Sequence, residues 1–146
     1  NWCENTVHFE HTDPEAIIKV KEAFAEEKLC NYFLPISEDT EDWYMSRVSK
    51  WGTKWDVGDD GGNIVLDNDE HVLTIHFSSA WSPPTGVYEE AENKGFRVSA
   101  TYCEPSMDFI GEFVNGMDQC YPLLDAPKHL KDDYEWAYEE YNDEED

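Results

Sequence analysis

The side chains of this 146-residue chain best suited to chemistry are two histidines, His8 and His76, each in an alternating run that reads as a strand. Both fall on the polar side of their runs. On neighbouring strands they would form a general acid–base or metal pair, with Glu10 and His11 at hand. The competing reading is a set of satisfied polar residues, covered by an insertion spanning 30–62. No third metal ligand stands at a recognisable spacing. A two-histidine phosphodiesterase would need His-x-Ser/Thr twice; His76-Phe77-Ser78 supplies one, and His8-Phe9-Glu10 does not supply the other.

Other chemistry is harder to build. Cys3, Cys30, Cys103 and Cys120 form no CxxC pair and have no zinc spacing to a His. With no signal peptide in view, free and mostly buried thiols in a reducing cytoplasm are expected. The first residue is Asn1, which leaves room for a short leader ahead of this numbering. The carboxylate-rich stretch from Asp56 to Glu70 fails the EF-hand frame: Gly58 takes the third position and Asp67 the place of the closing Glu. No glycine-rich phosphate loop, nucleophile elbow or HExxH occurs. No metal and no cofactor is expected.

The acid itself is the next candidate. There are 34 Asp and Glu against 10 Lys and Arg, a net charge of −24. Disorder is argued against by 40% hydrophobic and 14% aromatic residues, including six Trp. Such a surface repels nucleic-acid phosphates and anionic membranes, so neither is an expected partner. The charge is also uneven. Trp55 to Asn93 carries nine carboxylates and no Lys or Arg, and Lys131 to Asp146 carries nine against one Lys. Glu135 and Glu139 repel at i, i+4, and acid near a helix C-terminus opposes the macrodipole. Solubility explains this charge, and so does mimicry of a polyanion that occupies a basic groove. The residues expected to touch such a partner are Asp132, Asp133, Glu135, Glu139 and Glu140, with Asp59, Asp60, Asp67, Asp69 and Glu70 as a second cluster. A Trp-rich stretch around Trp51 offers another interaction surface, or a lid helix over the core.

These residues need elements to hold them. A strand over 1–11 precedes a helix start at Thr12-Asp13-Pro14-Glu15, with Ile17, Val20 and Phe24 as its core stripe. A helix beginning at the acidic Ser37–Asp42 run would place Tyr44, Val48 and Trp51 on one face and end at Gly52. Strands over 63–66 and 71–79 form a hairpin, a helix follows over 84–94, and a strand over 96–103 turns Phe96, Val98, Ala100 and Tyr102 inward. Asn115-Gly116 marks a second hairpin over 108–121. A terminal helix over 128–141 has Leu130, Tyr134, Ala137, Tyr138 and Tyr141 along one face. The order strand, helix, strand, strand, helix, strand predicts an α+β, ferredoxin-like split βαβ domain with an antiparallel sheet. The domain spans 1–127, with the insertion at 30–62, and an acidic helix and tail over 128–146.

Several strings carry a resemblance: Asn1-Trp2-Cys3-Glu4-Asn5, Trp51-Gly52-Thr53-Lys54-Trp55-Asp56, Ala80-Trp81-Ser82-Pro83-Pro84, and Tyr102-Cys103-Glu104-Pro105 with Phe109 and Gly111. Together they resemble the YubB-like proteins of phages and plasmids over about residues 1–121. The sequence departs from that family at Ser106, where members usually have Gly. The resemblance implies a ferredoxin-like fold and a mobile-element origin, and it supplies no activity. With the acid, it leads to the expectation of a non-enzymatic, cytoplasmic inhibitor bound to a basic surface of a host defence or nucleic-acid-processing protein. The alternatives are an interaction module at Trp51, and a hydrolase or nucleotide-binding protein at His8 and His76.

Overall fold

A computed structural model describes residues 1–37, 41–59 and 64–139. It is an α+β fold with one six-stranded antiparallel sheet of order β2-β3-β1-β4-β5-β6. β1 (Trp2–Glu10) lies between β3 (Val72–Ala80) and β4 (Arg97–Glu104); β2 (Ile64–Leu66) forms one edge, and the hairpin β5 (Phe109–Val114) and β6 (Met117–Tyr121) the other. Alternation divides the faces. Val7, Phe9, Leu73, Ile75, Phe77, Val98, Ala100 and Phe113 are buried on one, whereas Thr6, His8, Thr74, His76, Ser99 and Thr101 belong to the other.

Helices cover the apolar face. α1 (Pro14–Ala25) begins where Asp13 accepts the Glu15 N–H at 3.0 Å and Pro14 takes the first turn, and it buries Ile17, Val20 and Phe24. Within the Thr12-Asp13-Pro14-Glu15 start, Asp13 is the cap. α4 (Thr85–Asn93) buries Val87, Tyr88 and Ala91, and Gly95, at φ +96°, closes the segment that follows.

The insertion differs from expectation. It contains an unforeseen helix, α2 (Leu29–Phe33), whose Cys30 and Asn31 N–H groups donate to the Asp56 carboxylate at 2.6 and 3.0 Å. Asp56, read in the sequence as part of an acidic loop, therefore holds a helix end from 26 residues away. In α3 (Trp43–Lys50) no residue is buried. Trp51, just past its end, is buried and donates its indole N–H to the Leu34 carbonyl at 2.7 Å, whereas Tyr44 and Val48 stay in solvent. The expected three-residue stripe thus splits, because α3 stands on the surface and only its C-cap reaches the core. The Arg47 guanidinium lies 5.0, 5.3 and 5.7 Å from the Trp43, Trp51 and Trp55 rings, which ties these indoles to one another. Leu34 and Ile36 pack on the helix-side core, and none of the described residues of the insertion lines the His8–His76 cleft.

The C-terminal segment covers part of that face. Leu123, Ala126, Leu130, Tyr134 and Ala137 bury themselves against Cys103 and Ile110 in a second core. The helix expected over 128–141 is α5 (Lys128–Asp133), broken at Tyr134 and resumed over 135–139. Cys3, Cys30 and Cys103 are buried free thiols and Cys120 is exposed. Among the described residues no helix is long and apolar enough to cross a membrane.

At one point the insertion and α4 meet backbone to backbone: Gly86 N–H donates to the Trp51 carbonyl at 3.0 Å, and a Cβ at Gly86 would lie 1.8 Å from the Lys50 carbonyl oxygen. Gly86→Ala is therefore expected to destabilise by at least about 1–3 kcal/mol through forced backbone separation. Urea unfolding would show this as a lower midpoint at unchanged slope; a wild-type midpoint would mean the contact is dispensable.

Candidate functional site

On the polar face, register decides which side chains meet. Thr6 stands opposite His76 and His8 opposite Thr74, while across β4 Thr6 faces Thr101 and His8 faces Ser99. Thr6 Oγ1 and His76 Nδ1 share a hydrogen bond of 2.9 Å, and His8 Nδ1 and Thr74 Oγ1 one of 2.7 Å. The tripeptides Thr6-Val7-His8 and Thr74-Ile75-His76 thus interlock, each threonine holding the other strand's imidazole. Seeking His-x-Ser/Thr in the forward sense missed this motif; seeking Thr-x-His twice on strands due to pair antiparallel would have found it. Both imidazoles are tethered through Nδ1, which leaves Nε2 as the ring nitrogen facing outward chemistry.

The C-terminal segment walls this face into a cleft of about 480 Å³, lined by Thr6, His8, His76, Ser99, Thr101 and Glu112 from the sheet and by His129, Asp133 and Tyr134 from the cover. His129 Nε2 meets Glu112 Oε2 at 2.7 Å, fastening α5 to β5. The Tyr134 hydroxyl lies 3.1 Å from Thr101 Oγ1, with the hydroxyl of Thr6, the threonine that holds His76, close enough to favour its ionised form. Burial pushes the Tyr134 phenol up to about 12, partly offset by these two hydroxyls, so it stays protonated at neutral pH. His11 does not join the cleft: its Nδ1 accepts the Asp13 N–H at 2.9 Å and its ring lies against Phe96. No group of three or more His, Cys, Asp or Glu suited to a metal occurs among the described residues.

The acidic residues divide between two places. Asp132, Asp133, Glu135 and Glu139 are exposed on the C-terminal cover, over the β4–β5 half of the sheet. Asp132 is bound by Lys128 at 2.9 Å, and Asp133 lines the cleft. Asp67, Asp69 and Glu70 form the β2–β3 turn on the other half, so the two clusters do not adjoin. Asp67 is occupied locally, its Oδ1 accepting the His71 and Val72 N–H groups at 2.7 and 2.8 Å. Asp59 lies near the end of the insertion, its N–H donating to the Phe24 carbonyl at 3.0 Å. Asp60 and Glu140 lie outside the described residues.

Compared with known proteins, the chain matches no family model, no curated protein and no solved structure.

The cover makes the protein sensitive to alkali. Tyr134 has a folded pKa raised above its ordinary value near 10. Its contribution to stability is therefore full below about pH 10 and lost as pH rises towards about 12, because the unfolded chain releases this proton first. Tyr134→Phe is expected to flatten the fall of the urea midpoint across that window, at a neutral-pH cost of about 0.5–1.5 kcal/mol for the lost hydrogen bonds. An unchanged alkaline profile would show that the hydroxyl does not anchor the cover.

Proposed function

We propose that this chain is a ferredoxin-like domain of phage or plasmid type that works in the bacterial cytoplasm by stoichiometric binding. Its target is a basic surface on a host defence or nucleic-acid-processing protein. The observation that carries this reading is the anchoring of the acidic cover. Leu130, Tyr134 and Ala137 are buried against the sheet, so Asp132, Asp133, Glu135 and Glu139 stand outward from a fixed backbone. A solubilising tail needs no such anchor. Carboxylates held in place lose little entropy on meeting a cationic groove, and a net charge of −24 steers the encounter. Setting aside α2 and α3 of the insertion, the order β1-α1-β2-β3-α4-β4 with β3 between β2 and β1 supports the ferredoxin-like assignment, the β5–β6 hairpin extending the sheet beyond β4.

Charge reversal tests the proposal. A Glu135→Lys, Glu139→Lys variant is expected to lose at least about tenfold in affinity for a target captured from host lysate, and wild-type binding is expected to weaken steeply with salt. Binding that ignores both salt and the reversal would rule it out.

A second reading has an observation of its own. Tyr44, Met45 and Val48 on α3 are 44%, 61% and 40% exposed, beside Trp55 at 43%. Trp51, being buried, cannot touch a partner itself, but this patch can. A Tyr44→Ser, Met45→Ser, Val48→Ser variant that abolishes target capture while the charge reversal leaves it intact would transfer the role to α3.

A further inference from the structure

We infer that the cleft between the sheet and the C-terminal cover is a two-histidine proton-transfer site for a small phosphodiester, a chemistry separate from partner binding. Four observations converge on it. His8 and His76 are each tethered through Nδ1 to a threonine of the other strand, at 2.7 and 2.9 Å, and both line the same cleft. This holds the ring plane of each imidazole and directs its Nε2 away from the threonine, as a general acid or base requires. The volume of about 480 Å³ fits a nucleotide-sized ligand. The roof is fixed as well, since Tyr134 bonds Thr101 at 3.1 Å and His129 pairs with Glu112 at 2.7 Å.

The substrate class follows from geometry and charge. His8 and His76 are diagonal neighbours across an antiparallel pair, a spacing of about 7–8 Å between backbone positions. Two proton-transfer groups so placed can flank a single atom from opposite sides. Displacement at phosphorus needs that arrangement, because the entering and leaving oxygens lie in line. Glu112 and Asp133 at the rim disfavour a dianionic monoester and leave the singly charged diester as the better fit. Ser99 places a hydroxyl in the cleft lining for its non-bridging oxygens.

In the reaction, the neutral imidazole takes a proton from water as the water oxygen forms its bond to phosphorus. The bond from phosphorus to the leaving oxygen breaks, its electron pair stays on that oxygen, and the second, protonated imidazole supplies the proton. The products are a phosphomonoester and an alcohol, and the two histidines recover their starting states by exchange with solvent. His8 and His76 are the catalytic residues; Thr6 and Thr74 are positioning residues.

The test uses the full chain with bis(4-nitrophenyl) phosphate and 2′,3′-cyclic AMP. Hydrolysis of at least one with a bell-shaped pH profile is expected, as is a loss of about 10²–10⁴-fold in kcat for His8→Gln and for His76→Gln. Thr6→Val and Thr74→Val are expected to displace one limb of the profile each while retaining part of kcat. Turnover of the anionic probes is expected to rise with salt as repulsion is screened, the reverse of the salt effect on partner binding. Dimethyl phosphate added to wild-type protein is expected to shift the ring-proton NMR signals of His8 and His76. Absence of hydrolysis of both probes, hydrolysis that survives both histidine changes, or no such NMR shifts would overturn the assignment.

Discussion

The register of β1 is the constraint from which the rest of the molecule follows, and a buried amide holds it. Asn5 is only 2% exposed, in the middle of the face that carries the apolar core. Its side chain donates to the Cys3 carbonyl at 3.0 Å and to Ser79 Oγ at 2.9 Å, and accepts from the Tyr88 hydroxyl at 3.0 Å. A polar group so deep costs free energy unless every bond is made. One partner is on the neighbouring strand and another on α4, so only one alignment satisfies all three. A slip of one residue would leave the amide unpaired and would exchange Val7 and Phe9 for Thr6 and His8 on the core side. The same three bonds thus determine both the core and the cleft.

Seen from that strand, the two faces meet different physical demands. The helix side is dry and conventional, with Phe9 stacked on Phe33 and Phe24 against Phe77. The reverse side is polar at His8 and His76, yet becomes apolar on β4 and β5, where Cys103 and Ile110 are fully buried. Only the cover makes that possible. Its own sequence resists helix formation, with carboxylates stacked against one another and against the macrodipole. Tertiary contact from Leu130, Tyr134 and Ala137 overrides the local preference, and the break at Tyr134 shows where side-chain bonding to the sheet outweighs helix continuity.

Much of this was readable from residues alone. Alternation in β1, β3 and β4 assigned Val7, Ile75 and Val98 to one face and Thr6, His76 and Ser99 to the other, because a strand's period of two leaves no freedom. Asp13-Pro14 and Asn115-Gly116 announced their helix start and hairpin through backbone chemistry that acts over three or four residues. What was not readable depends on distance along the chain. Asp56 as the anchor of α2, Trp51 as the only deep residue of its expected stripe, and the reciprocal Thr–His pairs all join segments far apart. For the last of these the tripeptides were visible, but their meaning required the register between strands. The acid was visible too; which carboxylates are occupied, as Asp67 is by its turn, was not.

The separation between the first strand and its cover also orders the birth of the molecule. Thr6 and Tyr134 stand 128 positions apart in the sequence. On a ribosome, everything needed for the six-stranded sheet emerges before the segment that roofs it. During that interval Cys103 and Ile110 lie open on the sheet face that carries the two histidines, and the segment over 123–139, emerging later, both conceals the apolar ground and encloses the cleft. Arrival of that segment, rather than formation of the sheet, is the event that creates the finished site.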